Sequence, residues 1–131
     1  MKALVGTTGG VYLVDLETDE VEPSTDETPQ QQQQPPPDLG LPRIVAAARA
    51  GSAIVAAVAA RPPLIVSHDA GRTWRESGRG LPAGRAVAIS DDNPDVMVFA
   101  ARNRLYLSTD GGRFWEALTA ELPEIQTLAL E

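Results

Sequence analysis

The chain has 131 residues, of which 43% are hydrophobic, so it can form one domain with a packed core. Its formal net charge of −7 disfavours non-specific binding to nucleic acid or to an anionic membrane. The absence of cysteine excludes disulfides and thiolate metal sites, and we expect neither a metal nor a cofactor.

No segment has the pattern of a targeting signal or a membrane span. The amino-terminal MKALVGTTGG lacks the apolar stretch of a signal peptide. The longest apolar run, AIVAAVAA at 53–60, is far too short to cross a bilayer as a helix. We therefore expect a soluble, cytoplasmic protein.

The first elements are two short strands in KALVGTTGGVYLV (2–14), joined by a turn at TTGG. A polar hairpin turn, VDLETDEVE (14–22), follows them. The next stretch, 23–42, contains the low-complexity insert ETPQQQQQPPPD, which cannot bury enough apolar surface to fold alone. We expect this insert to be a neutral variation in loop length. The alternatives are that it partly covers a neighbouring ligand site or that its Pro-Pro-Pro segment binds a partner.

Two interpretations compete for the alanine-rich stretch RIVAAARAGSAIVAAVAAR (43–61). Alanine favours a helix. However, Gly51 and Ser52 interrupt the stretch, and the matching position further along the chain carries the strong turn signal DDNP at 91–94. The sequence therefore favours two strands over one helix.

An internal repeat of 41 residues organises the rest of the chain. SHDAGRTW (67–74) returns as STDGGRFW (108–115), and LPAGRAVAIS (81–90) returns as LPEIQTLALE (122–131). KALVGTTGGVYLV superposes on VMVFAARNRLYLS (96–108) once the insert and one lost loop are allowed for. The chain thus contains three repeats and begins in the middle of one of them.

Each repeat reads as four short strands, A to D, separated by turn signals. In the last complete repeat they are RAVAIS (85–90), DVMVFAA (95–101), RLYLS (104–108) and RFWEAL (113–118). We divide the domain, residues 1–131, into three units: 125–131 with 1–22, 43–76, and 85–118. The segment 23–42 joins strand D of the first unit to strand A of the second.

The repeated pattern S-x-D-x-G-x-[TF]-W resembles the Asp-box, or BNR, repeat of β-propellers such as sialidases and photosystem II assembly factors. The matching residues are Ser67, Asp69, Gly71, Trp74, Ser108, Asp110, Gly112 and Trp115. Ser and Asp can hydrogen-bond the backbone of their own turn, Gly permits positive φ, and Trp covers the hairpin. We therefore assign these residues a structural role and none in catalysis. The first repeat has lost the pattern.

The resemblance implies an all-β fold, a β-propeller with three four-stranded Asp-box blades in the chain. Propeller rings usually have four to eight blades, so three do not close a ring. We expect a homodimer that forms one six-bladed ring, in which the carboxy-terminal strand of each chain completes a blade of the other. A nine-bladed trimer and a fragment of a longer chain are the alternatives.

Arginines concentrate near the face of the ring that carries the B–C and D–A connections, which propellers usually use for ligands. They are Arg43, Arg61, Arg79, Arg85, Arg102 and Arg104. Guanidinium groups around a funnel suit carboxylates or phosphates through bidentate hydrogen bonds. The alternative is that these arginines pair with local acids and aid solubility.

We consider two functions for such a chain. The first is a non-enzymatic scaffold that binds a protein, a peptide or another anionic ligand at the arginine-rich face. The second is a glycan-binding or sialidase-like glycoside hydrolase. A sialidase-like site needs a tyrosine nucleophile beside a glutamate, whereas Tyr12 and Tyr106 occupy equivalent repeat positions, which indicates packing. His68, the one histidine, has no second metal ligand nearby in sequence, so we expect a solvated turn residue.

Overall fold

A computed structural model describes residues 2–24, 44–60 and 62–130. These residues form twelve β-strands arranged in three antiparallel sheets of four strands each. The all-β fold expected from the sequence is confirmed, and the three sheets have the form of propeller blades. No helix in the described ranges is long and apolar enough to cross a membrane.

Sheet I joins the two ends of the described chain. Its strands are β1 (Lys2–Thr7), β2 (Gly10–Asp15), β3 (Glu20–Ser24) and β12 (Ile125–Leu130), in the order β12-β1-β2-β3. The register sets Val5 opposite Leu128 and Ala3 opposite Leu130, so apolar side chains of both strands share one face. That face contributes to a buried core.

The expected exchange of the last strand between two chains is not what the single chain shows. In this structure β12 completes a sheet of its own chain by pairing with β1. The Ile125 amide donates to the Arg102 carbonyl at 2.7 Å, and the Thr8 amide donates to the Glu124 carbonyl at 2.9 Å. These bonds hold the start of β12 between sheet III and the end of β1, so the first strand can add to it within one molecule.

Sheet II decides between the two interpretations of the alanine-rich stretch. Its strands are β4 (Ile44–Ala50), β5 (Ala53–Val58), β6 (Leu64–Ser67) and β7 (Arg75–Ser77), in chain order. The prediction of two strands is confirmed, with Gly51 at φ 60° in the tight turn between them. Alanine suits β4 because this inner strand packs closely against the next sheet, where Ala46 and Ala48 are buried.

Sheet III is the middle layer. Its strands are β8 (Ala86–Ile89), β9 (Met97–Ala100), β10 (Leu105–Ser108) and β11 (Glu116–Ala117). One face packs on sheet I in a cluster with Ala88, Val98 and Leu105. The other packs on sheet II, where Phe99 is fully buried and lies 5.5 Å from Tyr106, centroid to centroid.

The order of the layers is therefore II, III, I. The inner strands β4 and β12 both pack beside β8. Within the described residues, no buried core cluster contains side chains of both sheet I and sheet II. The three sheets thus form an arc whose two ends are the outer faces of sheets I and II.

Candidate functional site

The turn 67–74 is held by its own serine and aspartate. Ser67 Oγ donates to Asp69 Oδ1 at 2.8 Å and accepts from the Gly71 amide at 2.8 Å. Asp69 accepts from the Thr73 amide at 2.9 Å and from Thr73 Oγ1 at 2.5 Å. Both side chains are therefore engaged in shaping the turn between β6 and β7.

The turn 108–115 repeats this arrangement with one difference. Ser108 Oγ donates to Asp110 Oδ1 at 2.8 Å and accepts from the Gly112 amide at 2.9 Å, and Asp110 accepts from the Phe114 amide at 3.0 Å. Phe114 has no hydroxyl to match that of Thr73, and its side chain is 80% exposed. The second turn thus keeps its backbone bonds and gains an aromatic surface residue.

The aspartates of the turns are stable anions. Hydrogen bonds from Thr73 and Ser67 lower the pKa of Asp69 to about 2. The pKa of Asp110 is lowered by the Phe114 amide and by Ser108. In the first repeat, which lacks the pattern, the amides of Glu17 and Thr18 lower the pKa of Asp15. These carboxylates act as hydrogen-bond acceptors for their own turns.

Three polar contacts that the sequence does not reveal join one sheet to the next. His68 Nε2 lies 3.1 Å from the Gly111 carbonyl, so this histidine connects two turns instead of being only a solvated residue. Ser77 Oγ donates to the Gly112 carbonyl and accepts from Trp115 Nε1 at 2.9 Å. The sequence does not reveal these hydrogen bonds, because each donor lies far along the chain from its acceptor and the two meet only when the sheets pack.

A further polar contact, between Thr119 and Asp19, links sheets III and I. The amide and hydroxyl of Thr119 both donate to Asp19 Oδ2, the amide at 2.7 Å. These bonds lower the pKa of Asp19. Adjacent sheets are therefore joined at the outer rim by polar contacts as well as by their apolar faces.

The four arginines of the proposed ligand site that the structure describes do not form one open cluster. Arg85 pairs with Glu124 at 2.9 Å and Arg104 with Glu121 at 3.1 Å, while Arg102 supplies its carbonyl to Ile125. These three therefore border the connection 121–125. Arg79 lines a separate groove beside Arg75. Arg43 and Arg61 lie outside the described residues.

The outer faces of sheets I and II are apolar near the inner strands. On sheet I, Leu4, Leu13 and Ala129 share a face by register, are half-buried, and belong to no core cluster. On sheet II, a small cluster contains Ala47, Ala56, Val58 and Ile65, each at most 6% exposed, and Ile44 of β4 and Trp74 of the turn before β7 pack on it. Val45 beside it is 44% exposed.

Neither a protein-family model nor a curated protein sequence matches the chain. Among solved structures, it is similar to the crystal structure of the Niastella koreensis GH74 enzyme, with 20% identity and a TM-score of 0.49 over 93% of this chain. The chain spans 18% of the length of that structure.

Proposed function

We propose that this chain is a non-enzymatic Asp-box scaffold whose working form is a ring of six blades built from two copies. Each copy supplies the arc II–III–I, and the outer face of sheet I in one copy packs on the outer face of sheet II in the other. The dimer is closed by apolar faces alone, with β12 kept in its own chain.

The observation that carries this proposal is the unequal packing of the three sheets. Sheet III is packed by a neighbouring sheet on both faces, whereas the outer face of sheet I has no sheet against it among the described residues. Half-buried Leu4 and Leu13 on that face are apolar surface that a second copy would cover. On sheet II the outer cluster is already buried, and the exposed apolar residue beside it is Val45, at the irregularity between Ile44 and Ala46. A C2 arrangement uses both ends at once and leaves neither open.

The proposal contains no catalysis. Among the described residues, each carboxyl group with a clearly shifted pKa has it lowered by hydrogen bonds, within its own turn for Asp15, Asp69 and Asp110 and across sheets III and I for Asp19. A general acid of a glycoside hydrolase needs a raised pKa. The ion pairs of Arg85 and Arg104 likewise favour local pairing over an open anion funnel.

Charge placed on the two ends of the arc tests the proposal. We expect Val45→Arg and Leu4→Arg each to convert the dimer to a monomer, because a guanidinium would have to be desolvated in the interface. Light scattering across a concentration series measures the mass, and circular dichroism checks that the β-structure is kept.

The control variant is Phe114→Arg, which places the same charge at an exposed apolar position away from both ends. It should remain dimeric. If both folded end variants kept the mass of the dimer, the proposed interface would be wrong.

A further inference from the structure

A groove of about 320 Å³ lies at the outer rim between sheets II and III. Strand β7 and the turn after it form one side, and the turn 108–115 forms the other. The residues that line it are Pro62, Arg75, Glu76, Ser77, Gly78, Arg79, Gly112 and Arg113. The contacts of Ser77 with Gly112 and Trp115 bridge its two sides, so the groove is fixed in shape.

The groove is basic in an acidic protein. Arg75, Arg79 and Arg113 are all exposed, and Glu76 is the one carboxylate among the lining residues. In the described ranges, ion pairs with carboxylates are made by Arg85 and Arg104, and by none of these three. Three arginines therefore line one groove with a single carboxylate, Glu76, and none of the three is held in an ion pair within the described ranges.

The repeat provides an internal comparison for this groove. Gly78 and Arg113 occupy the repeat positions that Thr119 and Asp19 occupy at the junction of sheets III and I. There the threonine and the aspartate bond to each other across the rim. At the junction of sheets II and III, a glycine and an arginine stand at those positions, and Arg113 lines the groove. The polar bridge at this junction comes from Ser77 instead.

Phe114 is an exposed aromatic residue in the turn that forms one side of the groove. It follows Arg113 directly and is 80% exposed, at the position where the first turn has Thr73 bonded to Asp69. Phe114 cannot make the side-chain hydrogen bond that Thr73 makes, and its exposed ring does not stabilise the turn. Exposed aromatic residues and arginines together are the typical composition of protein-binding hot spots.

We propose that this rim groove binds an acidic peptide segment of a partner protein, with its carboxylates on Arg75, Arg79 and Arg113 and an apolar side chain against Phe114. Bidentate guanidinium–carboxylate bonds give the site its charge selectivity. A short groove with three arginines suits a peptide better than a nucleic acid, because the net charge of −7 repels a long polyanion outside the groove. This site is distinct from the ends of the arc, so it does not depend on the proposed dimer.

The test measures the affinity of a fluorescein-labelled octapeptide with six Asp or Glu residues around a central Leu-Phe pair, by fluorescence anisotropy. We expect Arg75→Ala with Arg113→Ala to weaken binding at least tenfold. The matched control is Arg72→Ala with Arg102→Ala, which removes the same charge outside the groove and should change the affinity less than twofold. Raising NaCl from about 50 to about 500 mM should weaken binding strongly.

Phe114→Thr separates the apolar contact from the charge. It gives the second turn the residue that the first turn has, so the fold should be kept while the affinity falls several-fold. Equal affinity in the groove and control variants would overturn the proposal. So would equal binding of a peptide in which lysines replace the acids, tighter binding of a single-stranded oligonucleotide, or no binding of the acidic peptide. Light scattering of each variant shows whether the dimer is intact, so failure here is distinguishable from failure of the proposed ring.

Discussion

The repeated serines and aspartates act at the scale of single residues by ordering their own turns. Ser67 and Ser108 are each only 1% exposed, and each accepts from the amide of a glycine four residues later. A buried amide left without an acceptor is costly, which explains why a hydroxyl is needed at this position. The pattern in the sequence was sufficient to predict these bonds, because they are all local.

Replacing the second serine should destabilise the fold measurably. We expect Ser108→Ala to lower the free energy of unfolding by about 1–3 kcal/mol, since the Gly112 amide and the Asp110 carboxylate lose a buried partner. Urea unfolding followed by tryptophan fluorescence measures the change. Thr109→Ala, at the next and exposed position, should change it by less than about 0.5 kcal/mol. Equal effects of the two substitutions would contradict this role for the serine.

The aspartate of the first turn predicts how stability depends on pH. Its pKa is about 2, below the ordinary 3.8, so the ionised form stabilises the fold above about pH 4. That contribution is lost as the pH falls from 3.8 toward about 2, where the folded state also takes up the proton. We therefore expect the difference in melting temperature between the native protein and Asp69→Asn to be constant above pH 5 and to shrink below pH 4.

Thermal melts between pH 2 and pH 7 measure that difference. Asp92→Asn provides the control, because Asp92 is exposed in the turn between β8 and β9. A difference between native protein and Asp69→Asn that grew on acidification would have the wrong sign for this account.

At the scale of elements, the sequence predicted the strands well and their partners less well. The period of 41 residues and the turn signals located the strands of all three sheets, including two that an alanine-based propensity would make a helix. The sequence could not show whether β12 pairs with β1 of its own chain or of a second chain, since the apolar residues of β12 would pack equally well in either sheet. The register of β1 on β12, together with the bonds at Arg102 and Glu124, shows the pairing within one chain.

An engineered disulfide tests that pairing directly, since the chain has no cysteine of its own. Leu4 and Ala129 are register partners on β1 and β12, at a separation that a disulfide can bridge. We expect Leu4→Cys with Ala129→Cys to oxidise within one chain and to migrate near 14 kDa on a non-reducing gel. Each single variant serves as a control. A covalent band near 28 kDa for the double variant alone would show exchange of β12 between chains.

The candidate sites show the same limit of sequence analysis. Arg85, Arg102 and Arg104 were predicted from their loops to form a funnel, but their distances to Glu121 and Glu124 depend on where the connection 121–125 returns. The rim groove was not predicted, because Arg75 and Arg113 are 38 residues apart and on different sheets. The comparison of Gly78 and Arg113 with Thr119 and Asp19, however, was readable from the repeat alone.

At the scale of the whole molecule, sheets I and II each have an outer face that no other sheet of the described chain covers. The proposed ring pairs each end with the opposite end of a second copy, and sheet III shows how such faces pack when both are covered. On the sheet I face, Leu4, Leu13 and Ala129 are bordered by Lys2, Asp15, Glu20 and Glu22, so the interface would have a charged border.

The solution mass of the native protein tests this arrangement most directly. Multi-angle light scattering at micromolar concentration should give about 28 kDa, twice the chain mass of 13.9 kDa, with no change on dilution toward the lower micromolar range. A mass near 14 kDa at every concentration would contradict the two-chain ring.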